Sequence, residues 1–129
     1  AIHAAPLAPA GHLADRDFEK SVAVNIRATQ RLIGYVAPLL GQSGTAVFFD
    51  DPRGGERFFG HYGATKAAQI ALARSWAAES VRTGPRVLVL GPRPMPTATR
   101  ARFFPGEDRS RLDDMQAEAA RLLPAILSR

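Results

Sequence analysis

Thr45-Ala46-Val47-Phe48-Phe49 and Arg86-Val87-Leu88-Val89-Leu90 are two short apolar runs that decide how the chain is read. Both have the length and side-chain type of strands. The first stops at Asp50-Asp51-Pro52. The second stops at Gly91-Pro92-Arg93-Pro94-Met95-Pro96, which breaks regular structure completely. Between them, Arg53–His61 reads as a Gly-containing loop. Tyr62 to about Arg82 is an Ala-rich helix closed by Gly84-Pro85. Strands that are apolar throughout and alternate with helices imply a parallel sheet covered on both faces. The fold class expected is therefore α/β, with the two runs as neighbouring parallel strands and the helix as their right-handed crossover. Ligands of such sheets sit beyond the carboxyl ends of the strands, and both Asp50-Asp51 and Pro92–Thr97 lie there.

The flanking sequence fits this frame. Leu13–Leu40 reads as one long helix, with Phe18, Val22, Ile26, Ile33 and Val36 at near-helical spacing and its end marked by Pro38 and Gly41. Thr97–Arg111 reads as a polar and aromatic loop, and Leu112–Leu123 as a last amphipathic helix before Pro124. With no cysteine there is no disulfide framework and no thiolate chemistry. No apolar run approaches the ~20 residues that span a bilayer, and the first residues lack a basic-then-apolar signal pattern. A cytoplasmic domain is expected. Of the 17 basic residues 15 are Arg, and the formal net charge is +5. These arginines are scattered without aromatic interleaving, which argues against a nucleic-acid surface. His3 and His61 show no metal-ligand spacing, so no metal site is expected.

The chemistry is concentrated in Tyr62-Gly63-Ala64-Thr65-Lys66. Positions i and i+4 share a helix face, so a phenol and an ammonium stand one turn apart. A cation held there favours the phenolate and would bring the tyrosine down from its free pKa near ~10. A tyrosine tuned in this way donates a proton to a carbonyl oxygen or takes one from an alcohol.

These residues resemble the short-chain dehydrogenase/reductase family over nearly the whole chain. Tyr62 to Lys66, followed by Ala67 and Ala68, is similar to its Tyr-x-x-x-Lys segment. Val24-Asn25-Ile26 is similar to its helix asparagine, and Pro92 to Thr97 to the loop that closes over the nicotinamide. Ala1–Pro6 resembles, in weakened form, the end of the fourth strand and the turn after it. The resemblance implies a partial Rossmann-like doubly wound parallel sheet. It also implies that residues 1–129 are the C-terminal part of one such domain, because the family's glycine-rich diphosphate turn has no counterpart here. An isolated chain of this kind is expected to bind NAD(P)H poorly and to self-associate.

The resemblance implies hydride transfer between NAD or NADP and a carbonyl or alcohol. Tyr62 would be the general acid/base, and Lys66 would tune it and hold the nicotinamide ribose. Asn25 would bend its helix and hold a water connecting the lysine to solvent. Ala4, Pro92 and Thr97 would contact the cofactor. The family's catalytic serine is absent, and aligning the strand places Asp50-Asp51 there. Asp51, or Asp50, would take the serine's role. A carboxylate there resembles the pteridine reductases and suits a cationic or NH-rich substrate unless burial keeps it protonated. The helices spanning 13–40 and 62–82 would form a homodimer or homotetramer face. The alternative reading is a non-catalytic fragment that keeps those helices as an interaction module.

Overall fold

The computed structural model describes residues 2–128. The elements are α1 (Asp15–Ser21), a π-helical segment (Val22–Arg27), α2 (Ala28–Leu40), β1 (Thr45–Phe49), α3 (Gly60–Glu79), β2 (Arg86–Leu90), α4 (Ala98–Phe103) and α5 (Met115–Leu127). The strands pair in parallel, with Thr45 opposite Arg86 and Phe49 opposite Leu90. They form a two-stranded sheet, and α3 connects them in sequence. The α/β expectation and both strand boundaries hold.

The long helix expected over 13–40 starts at Asp15 and carries an interruption. α1, the π-helical segment and α2 follow one another without a break in helical geometry, and Asn25 lies inside the wide turn. There the amide of Ala28 reaches back to the carbonyl of Ala23, one residue further than in an α-helix. α2 ends where Gly41 adopts a φ of 56°, a conformation that glycine takes without steric cost.

The expectation of strands covered on both faces is corrected. No residue of β1 or β2 is fully buried, and Phe49 is 48% exposed. The strands line an open cavity of about 920 Å³ that continues to Tyr62, Lys66 and the Pro92–Thr97 loop. At the far end of the cavity Phe59, Tyr62 and Phe103 form a buried cluster with Ala4, Leu7 and Phe104 against it. Trp76 closes the sheet side, edge-to-face on Phe48.

Further boundaries differ from the sequence reading, and α3 starts two residues before Tyr62 and ends at Glu79 rather than near Arg82. The segment 97–111 is not all loop: Thr97 caps α4 by accepting the Arg100 amide at 3.2 Å. The last helix starts at Met115, capped by Asp114, and runs through Pro124 to Leu127. A proline so near a helix end removes only one hydrogen bond. The Arg86 guanidinium then binds the carbonyls of Ala125 and Ser128, supplying donors to that end. Glu118 pins the same helix to the loop after β2. It accepts the Arg93 amide at 2.8 Å and two bonds from Arg121, which also reaches the Gly91 carbonyl.

Candidate active site

Tyr62 stands in the first turn of α3 and is 3% exposed, its ring 4.8 Å from that of Phe103. Its Oη donates to Asp51 Oδ2 at 2.9 Å. β1 ends one residue before Asp50, so the strand delivers Asp51 to the phenol. Asp50 pairs instead with Arg74, at 3.5 Å. Between the two aspartates, the structure brings Asp51 to the tyrosine.

Burial raises the Tyr62 pKa well above the ordinary phenol value, and the charge and hydrogen bond of Asp51 raise it further. This corrects the expectation that Lys66 draws it down. The carboxylate bonds directly to the phenol, whereas the ammonium is turned away and donates to Gln69 Oε1 at 2.7 Å. Lys66 is itself held below the usual lysine value by burial, against the opposing charges of Asp50 and Asp51.

Asn25 is fully buried and holds the N-terminal segment. Its Oδ1 accepts the His3 amide at 2.7 Å, and its Nδ2 donates to the His3 carbonyl and to Thr65 Oγ1. Ile2–Leu7 form no strand, and Ala1 lies outside the described residues. Ala4 packs on the aromatic cluster and does not line the cavity, whereas Pro92 and Thr97 do. His61 is buried beside Phe18 with both ring nitrogens unbonded, and it too lies away from the cavity.

Several site residues escaped the sequence reading. Arg53 donates to Asp51 Oδ1 at 3.0 Å, and its guanidinium lies 5.6 Å from the Phe59 ring centroid and 5.2 Å from that of Phe104. Arg100 forms a bidentate pair with Glu107 at the same rim. Gln69 sits three residues after Lys66 on one helix face, a spacing that could have flagged it. Among the described residues no group of His, Asp or Glu has the geometry of a metal site, and no helix is long and apolar enough to cross a membrane.

A parallel strand–helix–strand unit with a tyrosine and lysine one turn apart, facing a cavity beyond the strand ends, is the arrangement of the short-chain dehydrogenases. The family model described as enoyl-(acyl carrier protein) reductase matches residues 1–123, and the chain belongs to this short-chain dehydrogenase family. The structure is similar to a short-chain dehydrogenase from Salmonella enterica serovar Typhi, with 25% identity and a TM-score of 0.85 over 98% of this chain and 52% of that one. A Shigella flexneri short-chain dehydrogenase gives 27% and 0.87 over 98% and 50%. One from Escherichia coli CFT073, complexed with NADPH, gives 27% and 0.84 over 98% and 52%. The chain thus spans about half the length of these relatives. A search of curated proteins gives no sequence match.

Proposed function

We propose that this chain carries the proton-transfer side of an NAD- or NADP-dependent oxidoreductase acting on a carbonyl or its alcohol. The observation that carries the reading is the Tyr62–Asp51 hydrogen bond at the cavity, with Lys66 one turn deeper. The wall formed by Tyr62, Lys66, Pro92 and Thr97 suits the nicotinamide and its ribose, and the similar NADPH-bound structure supports that choice of cofactor. Among the described residues no glycine-rich turn opens a helix toward the cavity, so diphosphate binding is assigned to none of them. The cofactor would supply the hydride.

Tyr62, held neutral by burial and Asp51, would donate its Oη proton to the substrate oxygen as that oxygen gains negative charge. Lys66 would offer its remaining N–H groups to the ribose hydroxyls. Asp51 accepts from both Tyr62 and Arg53, so its carboxylate acts as an acceptor. A substrate presenting an N–H or a cationic group, as a pterin does, suits it better than a simple ketone. The enzyme would act in the cytoplasm as a homodimer or homotetramer.

The test is Tyr62→Phe in the protein that turns over substrate. Turnover should be abolished with cofactor affinity nearly unchanged, and retention of more than about a tenth would refute the mechanism, since such catalysis is worth ~10²–10⁴-fold. One observation favours the second reading, an interaction module. α2 exposes Leu32, Tyr35 and Leu39 at helical spacing, the last at 83%. Self-association that survives without cofactor binding or turnover would select it.

A further inference from the structure

A buried network behind Lys66 has no part in the mechanism above. Lys66 Nζ donates to Gln69 Oε1 at 2.7 Å. Gln69 Nε2 donates to the main-chain carbonyl of Asn25 at 3.2 Å and to Thr29 Oγ1 at 2.9 Å. Thr29 Oγ1 donates to the same carbonyl at 3.0 Å. All four residues are at most 6% exposed. Their chemistry permits one orientation of the amide. An ammonium has only donors, so the Gln69 oxygen must face it, and a carbonyl only accepts, so the Gln69 nitrogen must face Asn25.

We propose that Gln69 is a positioning residue, a carboxamide bridge that locks the Lys66 ammonium to the main chain of the π-helical segment and closes the interior side of the lysine. The amide occupies the route that the family resemblance assigns to a water. Unlike a water, a carboxamide does not readily give up one N–H proton while taking another, so this side does not relay protons. Tyr62 is left to exchange its proton on the cavity side, where Asp51 is bonded to it. The inference builds on the roles proposed for Tyr62 and Lys66, but its test needs no turnover. Asp50 and Asp51 are the charged groups facing the lysine, and both oppose the lowering that burial imposes.

The protein has two lysines, Lys66 and the exposed Lys20, so lysine-selective ¹³C,¹⁵N labelling gives one probe and one internal control. In the unaltered protein the Lys66 ammonium protons should give a persistent ¹H–¹⁵N signal at neutral pH, while those of Lys20 exchange away. Gln69→Leu should abolish that signal and move the Lys66 midpoint further down. Gln69→Glu, which sets a carboxylate against the ammonium, should move it up. A midpoint unmoved in both variants would overturn the proposal. Should both variants lose their dispersed spectra, the unaltered protein decides, and absence of a protected Lys66 signal overturns it. A clamped lysine leaves this inference standing even where the Tyr62→Phe test sinks the oxidoreductase reading.

Discussion

Asp51→Asn should make Tyr62 easier to ionise. The amide keeps an oxygen that can accept the phenol at the 2.9 Å position, but it removes the negative charge beside it. A hydrogen bond to a charged group is worth about 1.5–3 kcal/mol. The Asp51 side chain is 33% exposed, so solvent screening places the effect at the low end of that range. About 1.5 kcal/mol against the phenolate corresponds to roughly tenfold in its ionisation constant. The protein has two tyrosines, and phenolate absorbance against pH follows both, with the Tyr62 step late because its value is raised. Tyr62→Phe assigns the late one, and circular dichroism confines the fit to pH values where the protein stays folded. The variant's late step should shift to lower pH. A constant that changes less than about twofold would show that burial alone holds the phenol neutral. The linkage has a definite sign. Because the folded-state value is raised, the stability tied to neutral Tyr62 is fully present below ~10 and is lost as pH rises beyond it, and Asp51→Asn should reduce that loss.

Asn25→Ala removes three side-chain hydrogen bonds, to His3 twice and to Thr65, and should cost about 2–3 kcal/mol at roughly 1 each. A lower urea midpoint with an unchanged slope would show it, and a change under about 0.5 kcal/mol would remove Asn25 as the tie for the N-terminal segment. Gly63→Ala should destabilise although Ala is the better helix former, because a Cβ there meets the Arg53 carbonyl oxygen at 2.5 Å. A raised melting temperature would mean that the Arg53-Gly54 loop yields freely. Bonds from Arg121, then the Arg93 amide, hold the Glu118 carboxyl down at about 2. Its stabilising contribution should be fully present above the ordinary Glu value of 4.5 and lost as pH falls through about 2. Glu118→Gln should flatten that part of the stability–pH curve, and an unchanged curve would refute the pin.

What the residues alone determine here is periodicity and punctuation. Two largely apolar runs closed by Asp-Asp-Pro and by a proline cluster, with a helix between them, point to parallel strands, because apolar strands alternating with helices are the pattern of parallel sheets. The i, i+4 spacing of Tyr62 and Lys66 likewise specifies a shared helix face. Boundaries held where a local chemical signal marked them, as at Phe49 and Leu90. They failed at Pro124, where Arg86, distant in sequence, supplies the donors that let the helix continue. The tertiary structure decided everything that depends on which group reaches which. Asp50 and Asp51 are adjacent and chemically identical, and only the path of the chain after β1 gives one to Arg74 and the other to Tyr62. The direction of the Tyr62 shift was decided in the same way. Spacing places a cation near the phenol, but burial and a direct bond to a carboxylate outweigh a charge whose hydrogen bond points elsewhere. The Gln69 bridge joins side chains to a carbonyl 44 residues earlier in the chain. No local pattern specifies such a contact, because it exists only once the π-helical segment and α3 have packed together.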